Sequence, residues 1–111
     1  MFQSGDCYKD RDAERIFSFH AGNYPDDNQK SHCIAACQDV YAYAGVEGSS
    51  HCRCSNTLPD RTLHRPVECN ECNMVCSGND DEICGGHYRM KIFPVPGKFR
   101  LFLKIVNIFV V

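Results

Sequence analysis

The chain has no tryptophan, and before residue 92 its aliphatic content is modest. At 111 residues it holds one domain and buries only about two thirds of its unfolded surface, so a core of this composition is thin and needs other staples. Neither sign of charge clusters. The formal net charge is −2, and Arg11, Arg15, Arg53, Arg61, Arg65 and Arg89 are interspersed with Asp and Glu. That excludes the basic stripe of a nucleic-acid binder. No apolar run reaches the roughly 20 residues of a spanning helix, and no internal repeat is present. Residues 1–6 show no charged region, apolar stretch or cleavage site of a secretion leader, so an incomplete parent sequence is expected.

What the chain does have is sulfur. Nine cysteines occur, and eight follow a paired pattern: Cys7 alone, Cys33-x3-Cys37, Cys52-x-Cys54, Cys72-x3-Cys76, and Cys84 before Gly85-Gly86. Cys69 stands outside it. Cysteine at this density in a small chain points to a disulfide scaffold in an oxidising compartment, extracellular or at the cell surface. Four bridges, each worth about 2–4 kcal/mol, would decide whether so thin a core folds.

An extended segment is read from Cys7 to about Phe19, with Phe17 and Phe19 on one side and in the core. Residues 20–30 read as loop. A helix follows over residues 29–39 with Asn28 as N-cap, its apolar positions Cys33, Ile34, Ala36, Cys37 and Val40 recurring at spacings of three and four. Residues 41–46 and 51–54 form a hairpin about the turn Gly48-Ser49-Ser50. Tyr8, Tyr41 and Tyr43 are assigned to the sheet. Residues 56–69 read as a long loop, 72–76 as a short helical turn, 77–81 as a turn and 88–93 as a closing strand.

The domain is placed at residues 5–94. Residues 95–111 are a hydrophobic and basic tail of another composition, for which three readings stand: an interfacial amphipathic segment in contact with a membrane, a truncated membrane-proximal segment, or a read-through tail.

Two cysteines four apart on a helix share a face, as do two cysteines two apart on a strand. The geometry therefore favours joining Cys33 and Cys37 to Cys52 and Cys54, because neighbours on a straight element do not readily bridge each other.

The sequence resembles the WSC domain. The match is carried by Asp6-Cys7-Tyr8-Lys9-Asp10, Ser31-His32-Cys33-Ile34-Ala35-Ala36-Cys37, Tyr43-Ala44-Gly45-Val46-Glu47, Cys52-Arg53-Cys54-Ser55-Asn56, Cys72-Asn73-Met74-Val75-Cys76-Ser77-Gly78-Asn79 and Cys84-Gly85-Gly86. The resemblance implies a small α+β, PAN/apple-like fold, with one helix packed across a twisted antiparallel sheet. It also implies the bridges Cys7–Cys72, Cys33–Cys52, Cys37–Cys54 and Cys76–Cys84. Cys69 has no partner in that scheme, and three readings stay open: a free thiol, an intermolecular link, or the wrong member of a local duplication in which Cys7 pairs with Cys69.

The resemblance further implies a non-catalytic module that binds glycans or cell-wall and matrix polysaccharide; the alternative is a structural module packing against neighbouring extracellular domains. Sugar binding needs an aromatic platform with planar polar groups beside it. The candidates are Tyr24, His20 and Tyr88, with Asn23, Asp26, Asp27, Asn79 and Arg89 as polar partners.

Competing chemistry is weaker. A four-thiolate zinc site from Cys52, Cys54, Cys69 and Cys72, with His51 or His87 as substitutes, leaves the remaining cysteines unexplained. The acidic runs 26–28 and 79–82 lack calcium-loop spacing and suit turns and helix caps. No nucleophile motif surrounds any cysteine, and the histidines read as surface or packing residues. No cofactor is expected.

Overall fold

The computed structural model describes residues 7–96. Seven strands and one helix follow in the order β1 (Cys7–Lys9), β2 (Phe19–Asn23), α1 (Lys30–Cys37), β3 (Tyr43–Glu47), β4 (His51–Ser55), β5 (Val75–Cys76), β6 (Asn79–Ile83) and β7 (Arg89–Pro94). Five strands make one antiparallel sheet in the order β1-β7-β3-β4-β2, and β5 pairs with β6 in a separate ribbon. The fold is a small disulfide-rich α+β domain with its helix laid on the sheet. The tail expected from residue 95 onward lies outside the described residues from 97 on.

Strand alternation divides the sheet into two faces. Ala44, Val46, Cys52, Cys54 and Phe93 meet the helix cysteines Cys33 and Cys37, with Cys76, Cys84 and Val95 completing that core. On the opposite face Tyr8, Phe17, Met90 and Ile92 form a second cluster, joined by Ile16 and Tyr43. The sheet is thinnest at Gly45, where a Cβ would lie 2.4 Å from the Met90 sulfur and 3.1 Å from the Phe17 ring.

The bridges are Cys7–Cys72, Cys33–Cys52, Cys37–Cys54 and Cys76–Cys84, and Cys69 is exposed and unbridged. Cys7 therefore takes Cys72 and leaves Cys69 alone. The thiols of the zinc alternative are oxidised: Cys52, Cys54 and Cys72 each bridge a different partner. Cys33, Cys37 and Cys52 bring their sulfurs within 4.8 Å of one another because two bridges lie side by side.

The helix is shorter than the apolar spacing predicts, and sulfur docks it. Cys33 and Cys37 are its buried residues, while Ala36 and Val40, placed on the stripe, are exposed. A helix of two turns is marginal by itself, so the bridges to β4 are what hold it. Asn28 does not cap it. Its side chain is buried and donates to the carbonyls of Ser49 (3.1 Å) and His51 (3.3 Å), which ties the helix entrance to the β3–β4 turn. The cap comes from a distance: the Lys30 N–H donates to Glu82 Oε1 of β6 at 3.0 Å, placing a carboxylate at the positive helix end.

Five further expectations change. Strand β3 begins at Tyr43, so Tyr41, assigned to the sheet, precedes it. Residues 19–23, mostly read as loop, form edge strand β2, with a bulge between His20 and Gly22. Pairing with the free edge of β4 outweighs the low strand propensity of Gly and Asn. Phe19 is 47 % exposed rather than in the core; it stacks on Tyr41 with ring centroids 5.1 Å apart. The short helical turn sits earlier, as a 3₁₀ turn at Cys69–Glu71, and residues 75–76 are strand. The turn read at 77–81 gives way to strand β6 at Asn79, since the Cys76–Cys84 bridge closes a hairpin there.

Candidate functional site

The face of β4 turned away from the helix carries the chemistry. With Cys52 and Cys54 committed to the helix, His51 and Arg53 project the other way. Glu47, at the end of β3, stands opposite His51 in the pairing register. The segment between β1 and β2 crosses this same face. It seats Phe17 in the apolar cluster and brings Arg15 to its polar end.

The result is a cleft of about 300 Å³ with Arg15, Glu47, His51 and Arg53 along its polar side. Tyr88 and Met74 supply apolar surface, and Gly48, Gly86 and His87 complete the wall.

A carboxylate pair lies beneath it. Asp10 is 2 % exposed, and its oxygens accept from the N–H groups of Arg11 (2.8 Å) and Ile16 (2.9 Å) and from Arg15 (3.1 Å). Burial pushes the Asp10 carboxyl up, but hydrogen bonds from Glu47, Ile16, Arg11 and Arg15 outweigh it and hold Asp10 below its ordinary value. Glu47 goes the other way, to about 8, through burial first and then the neighbouring Asp10. At neutral pH Asp10 is the anion and Glu47 holds the proton. Glu47 Oε1 is buried with no hydrogen-bond partner among the described residues.

Arg15 is the hub. It donates to Glu47 Oε2 at 3.3 Å and Asp12 Oδ1 at 2.6 Å besides Asp10. Burial lowers its proton affinity, but the Asp10 bond and the charges of Asp10, Glu47 and Asp12 raise it beyond the usual arginine range. Its guanidinium lies 5.4 Å from the centroid of the Tyr88 ring, a cation–π contact. The Tyr88 hydroxyl donates to Asp12, which raises the phenol above its ordinary value. Tyr88 also has φ of 52°, a left-handed conformation that costs a side chain about 1–2 kcal/mol. Strain of this kind persists where surrounding contacts over-determine a residue, and here they aim an aromatic ring at the cleft. Gly85, next to this turn, is hemmed in by backbone, since a Cβ there would lie 2.5 Å from the carbonyl oxygens of Arg89 and Val46.

The sequence candidates fall in two places. Tyr88 lines the cleft, whereas His20 lies on β2 outside the lining and reaches it only through His51, whose Nδ1 is 3.0 Å from His20 Nε2. Burial first, and the charge of Arg53 second, hold both His20 and His51 below the usual histidine range. Arg89 is turned aside onto Glu71 at 2.7 Å.

Asn23, Tyr24, Asp26 and Asp27 lie at the β2 end and the helix entrance. Asn23 accepts from Ser50 Oγ at 2.5 Å. Tyr24 is half-buried, with its ring against Gly22 and edge-on to His32 at 4.4 Å. Asp26 and Asp27 are exposed. Asn79 donates to Gln29 at 3.3 Å, which links the ribbon to the helix entrance.

Sequence reasoning did not single out Arg15, Glu47 and Arg53 as cleft residues, and it named His51 only for a zinc site. One signal was there to be read for two of them. If Cys52 and Cys54 face the helix, strand alternation sends His51 and Arg53 to the opposite, open side.

The sequence profile of the WSC domain matches residues 5–86. Xylosyltransferase oxt of Drosophila melanogaster is 34% identical over 88 residues, covering 78% of this chain and 10% of that protein. A WSC domain-containing protein of Arthroderma benhamiae is 31% identical over 90 residues, covering 78% of this chain and 12% of that protein. Kremen protein 1 of Mus musculus is 37% identical over 62 residues, covering 55% of this chain and 13% of that protein. The chain thus spans about a tenth of the length of these curated relatives. Their names describe whole proteins of which such a module is a small part. With the eight-cysteine pattern and the helix bolted to its hairpin, the profile match places this chain in the WSC family.

Proposed function

We propose that the chain is a non-catalytic, extracellular or cell-surface module that binds carbohydrate in the cleft between Tyr88 and Arg53. The observation that carries this reading is the composition of that cleft: an aromatic ring held in place beside planar hydrogen-bonding groups on a cross-linked sheet. Aromatic faces take up the apolar side of a sugar ring, and guanidinium and imidazole groups answer its hydroxyls. The four bridges support placement in an oxidising compartment. Such docking is weak and reversible, and neighbouring domains of a longer parent strengthen it through effective concentration.

The carboxyl pair is the one feature that invites a catalytic reading. One member protonated and the other ionised is the split of an acid–base couple. Asp10, however, is buried and spends its charge on Arg15 and two backbone N–H groups, and it does not line the cleft. That arrangement suits a structural pair.

Titrating the oxidised chain with a panel of soluble oligosaccharides, followed by amide and side-chain NMR shifts, tests the proposal. Shifts should gather at Tyr88, His51 and Arg53, and Tyr88→Ala should abolish them. Shifts that gather instead at Tyr24 and Asn23 would move the site to the other end of β2.

A second reading, a module packing against neighbouring extracellular domains, draws on exposed Phe19, stacked on half-buried Tyr41, and on exposed Val40. Silence toward glycans, together with a defined protein interface centred on Phe19, would favour it.

A further inference from the structure

The cleft is selective in what it offers. Glu47 is the acidic residue in its lining, and it keeps its proton up to about pH 8. Asp10 and Asp12 lie outside the lining and face Arg15 at 3.1 and 2.6 Å. The Glu47 carboxyl is buried and already engaged by Arg15 at 3.3 Å, so the lining offers no free carboxylate.

Arg53 is differently placed from Arg15. Among the described residues its guanidinium donates to the Phe17 carbonyl at 3.2 Å and forms no ion pair. A guanidinium has five N–H donors, so most of its fork is left for a ligand. His51 stands beside it, bonded to His20. Both imidazoles feel the Arg53 charge as a repulsion, which reports a positive local field in a chain whose net charge is −2.

A neutral sugar brings hydroxyls that must donate as well as accept, and ionised carboxylates are the strongest acceptors for them. This lining has none free. An anionic substituent needs donors and positive charge, which Arg53 provides, and arginine matches the planar geometry of such groups.

Granting that this cleft is the carbohydrate site, we propose that its ligand is an acidic sugar, whose carboxylate or sulfate ester sits on the Arg53 guanidinium while its ring lies against Tyr88. Arg15, already held by three carboxyl groups, positions Tyr88 and leaves the anion to Arg53.

The test is calorimetric titration of the full, oxidised chain at neutral pH and low salt, with side-chain NMR shifts locating the ligand. It uses three disaccharides of one linkage: cellobiose, its counterpart with a uronic acid carboxylate at one C6, and cellobiose 6-O-sulfate. At least one acidic sugar should bind about tenfold or more tighter than cellobiose, the scale of one charge-assisted hydrogen bond. Added sodium chloride should erode that advantage. The two acidic arms tell carboxylate from sulfate.

Arg53→Gln should remove the preference. Because Arg53 also holds the Phe17 carbonyl, Arg53→Lys is the companion variant; it keeps the charge without the fork and should retain part of the preference. Cellobiose bound in the cleft as tightly as its acidic analogues would overturn the acidic assignment and leave the sugar site standing, as would a preference undiminished in folded Arg53→Gln. No shift at His51 or Tyr88 with any of the three would overturn the carbohydrate reading itself.

Discussion

The two faces of the five-stranded sheet are built from the same strands and do opposite work. On β4, Cys52 and Cys54 point to the helix and are bonded to it, while His51 and Arg53 alternate with them and line an open cleft. The helix face is held covalently and needs little apolar area, which suits a helix of eight residues whose buried side chains are two cysteines. The other face has an apolar half under Phe17 and a polar half in which a carboxyl is kept protonated and a tyrosine strained. Polar burial of that kind costs stability. The comparison teaches that cross-links on one side allow a small domain to keep costly groups on the other.

The comparison breaks most sharply at the helix. Cys33→Ser removes a bridge closing a sequence separation of 19 residues and should cost about 2–5 kcal/mol. Urea unfolding of the oxidised protein measures it, and wild-type stability in that variant would refute the sulfur-docked helix.

Next is the boundary between the faces. Gly45→Ala places a Cβ 2.4 Å from the Met90 sulfur and should cost about 1–3 kcal/mol, softened by the flexibility of Met90. A midpoint unchanged in denaturant would mean the sheet is less tightly covered than its geometry states.

The open face is sharpened by pH. Glu47 has a folded value of about 8 against an ordinary 4.5, so the stability it contributes is complete below about pH 4.5 and is lost as pH rises through 8. His20 and His51, held low, contribute in the opposite sense, with stability lost as pH falls below their ordinary 6.5. The difference between wild type and Glu47→Gln isolates the carboxyl. The variant should melt at nearly the same temperature near pH 4.5 and progressively higher than wild type toward pH 8, by calorimetry. A constant offset would show that Glu47 is ionised in the fold.

The smallest effect belongs to a residue on neither face. Cys69 is exposed and unbridged, so Cys69→Ser should change stability by no more than about 0.5 kcal/mol. In the native wild type a thiol reagent should label one cysteine, and in the variant none.

Much of the helix face was legible in the residues. The spacing of Cys33, Cys37, Cys52 and Cys54 is a statement about periodicities of 3.6 and 2, and those are properties of local backbone. The hairpin about residues 48–50 and the closing strand near Arg89 follow from turn chemistry and alternation in the same way. Asn28 was misread because its neighbours in sequence suit a cap, while its neighbours in space are the carbonyls of Ser49 and His51. Phe17 and Phe19 sit two apart and look equivalent, yet one is buried and the other stacks on Tyr41 at the sheet edge, where the chain has entered β2. Of the sugar candidates, Tyr88 was named for its ring, and the charges that surround it went unnoticed.

Cysteine number and spacing, with the sparse apolar content, pointed to a cross-linked domain in which a helix is joined to a hairpin, because they set which residues share a face before any folding occurs; the α+β, PAN/apple-like fold was what the resemblance to the WSC domain implied. The cleft was decided only by tertiary structure. Arg15, Glu47, Arg53 and Tyr88 come from four separate segments, and they meet because the chain from β1 to β2 is laid across the sheet, tethered at Cys7 and anchored by Phe17. Their protonation states come from burial and from one another's charges, and neither exists until those segments are in contact.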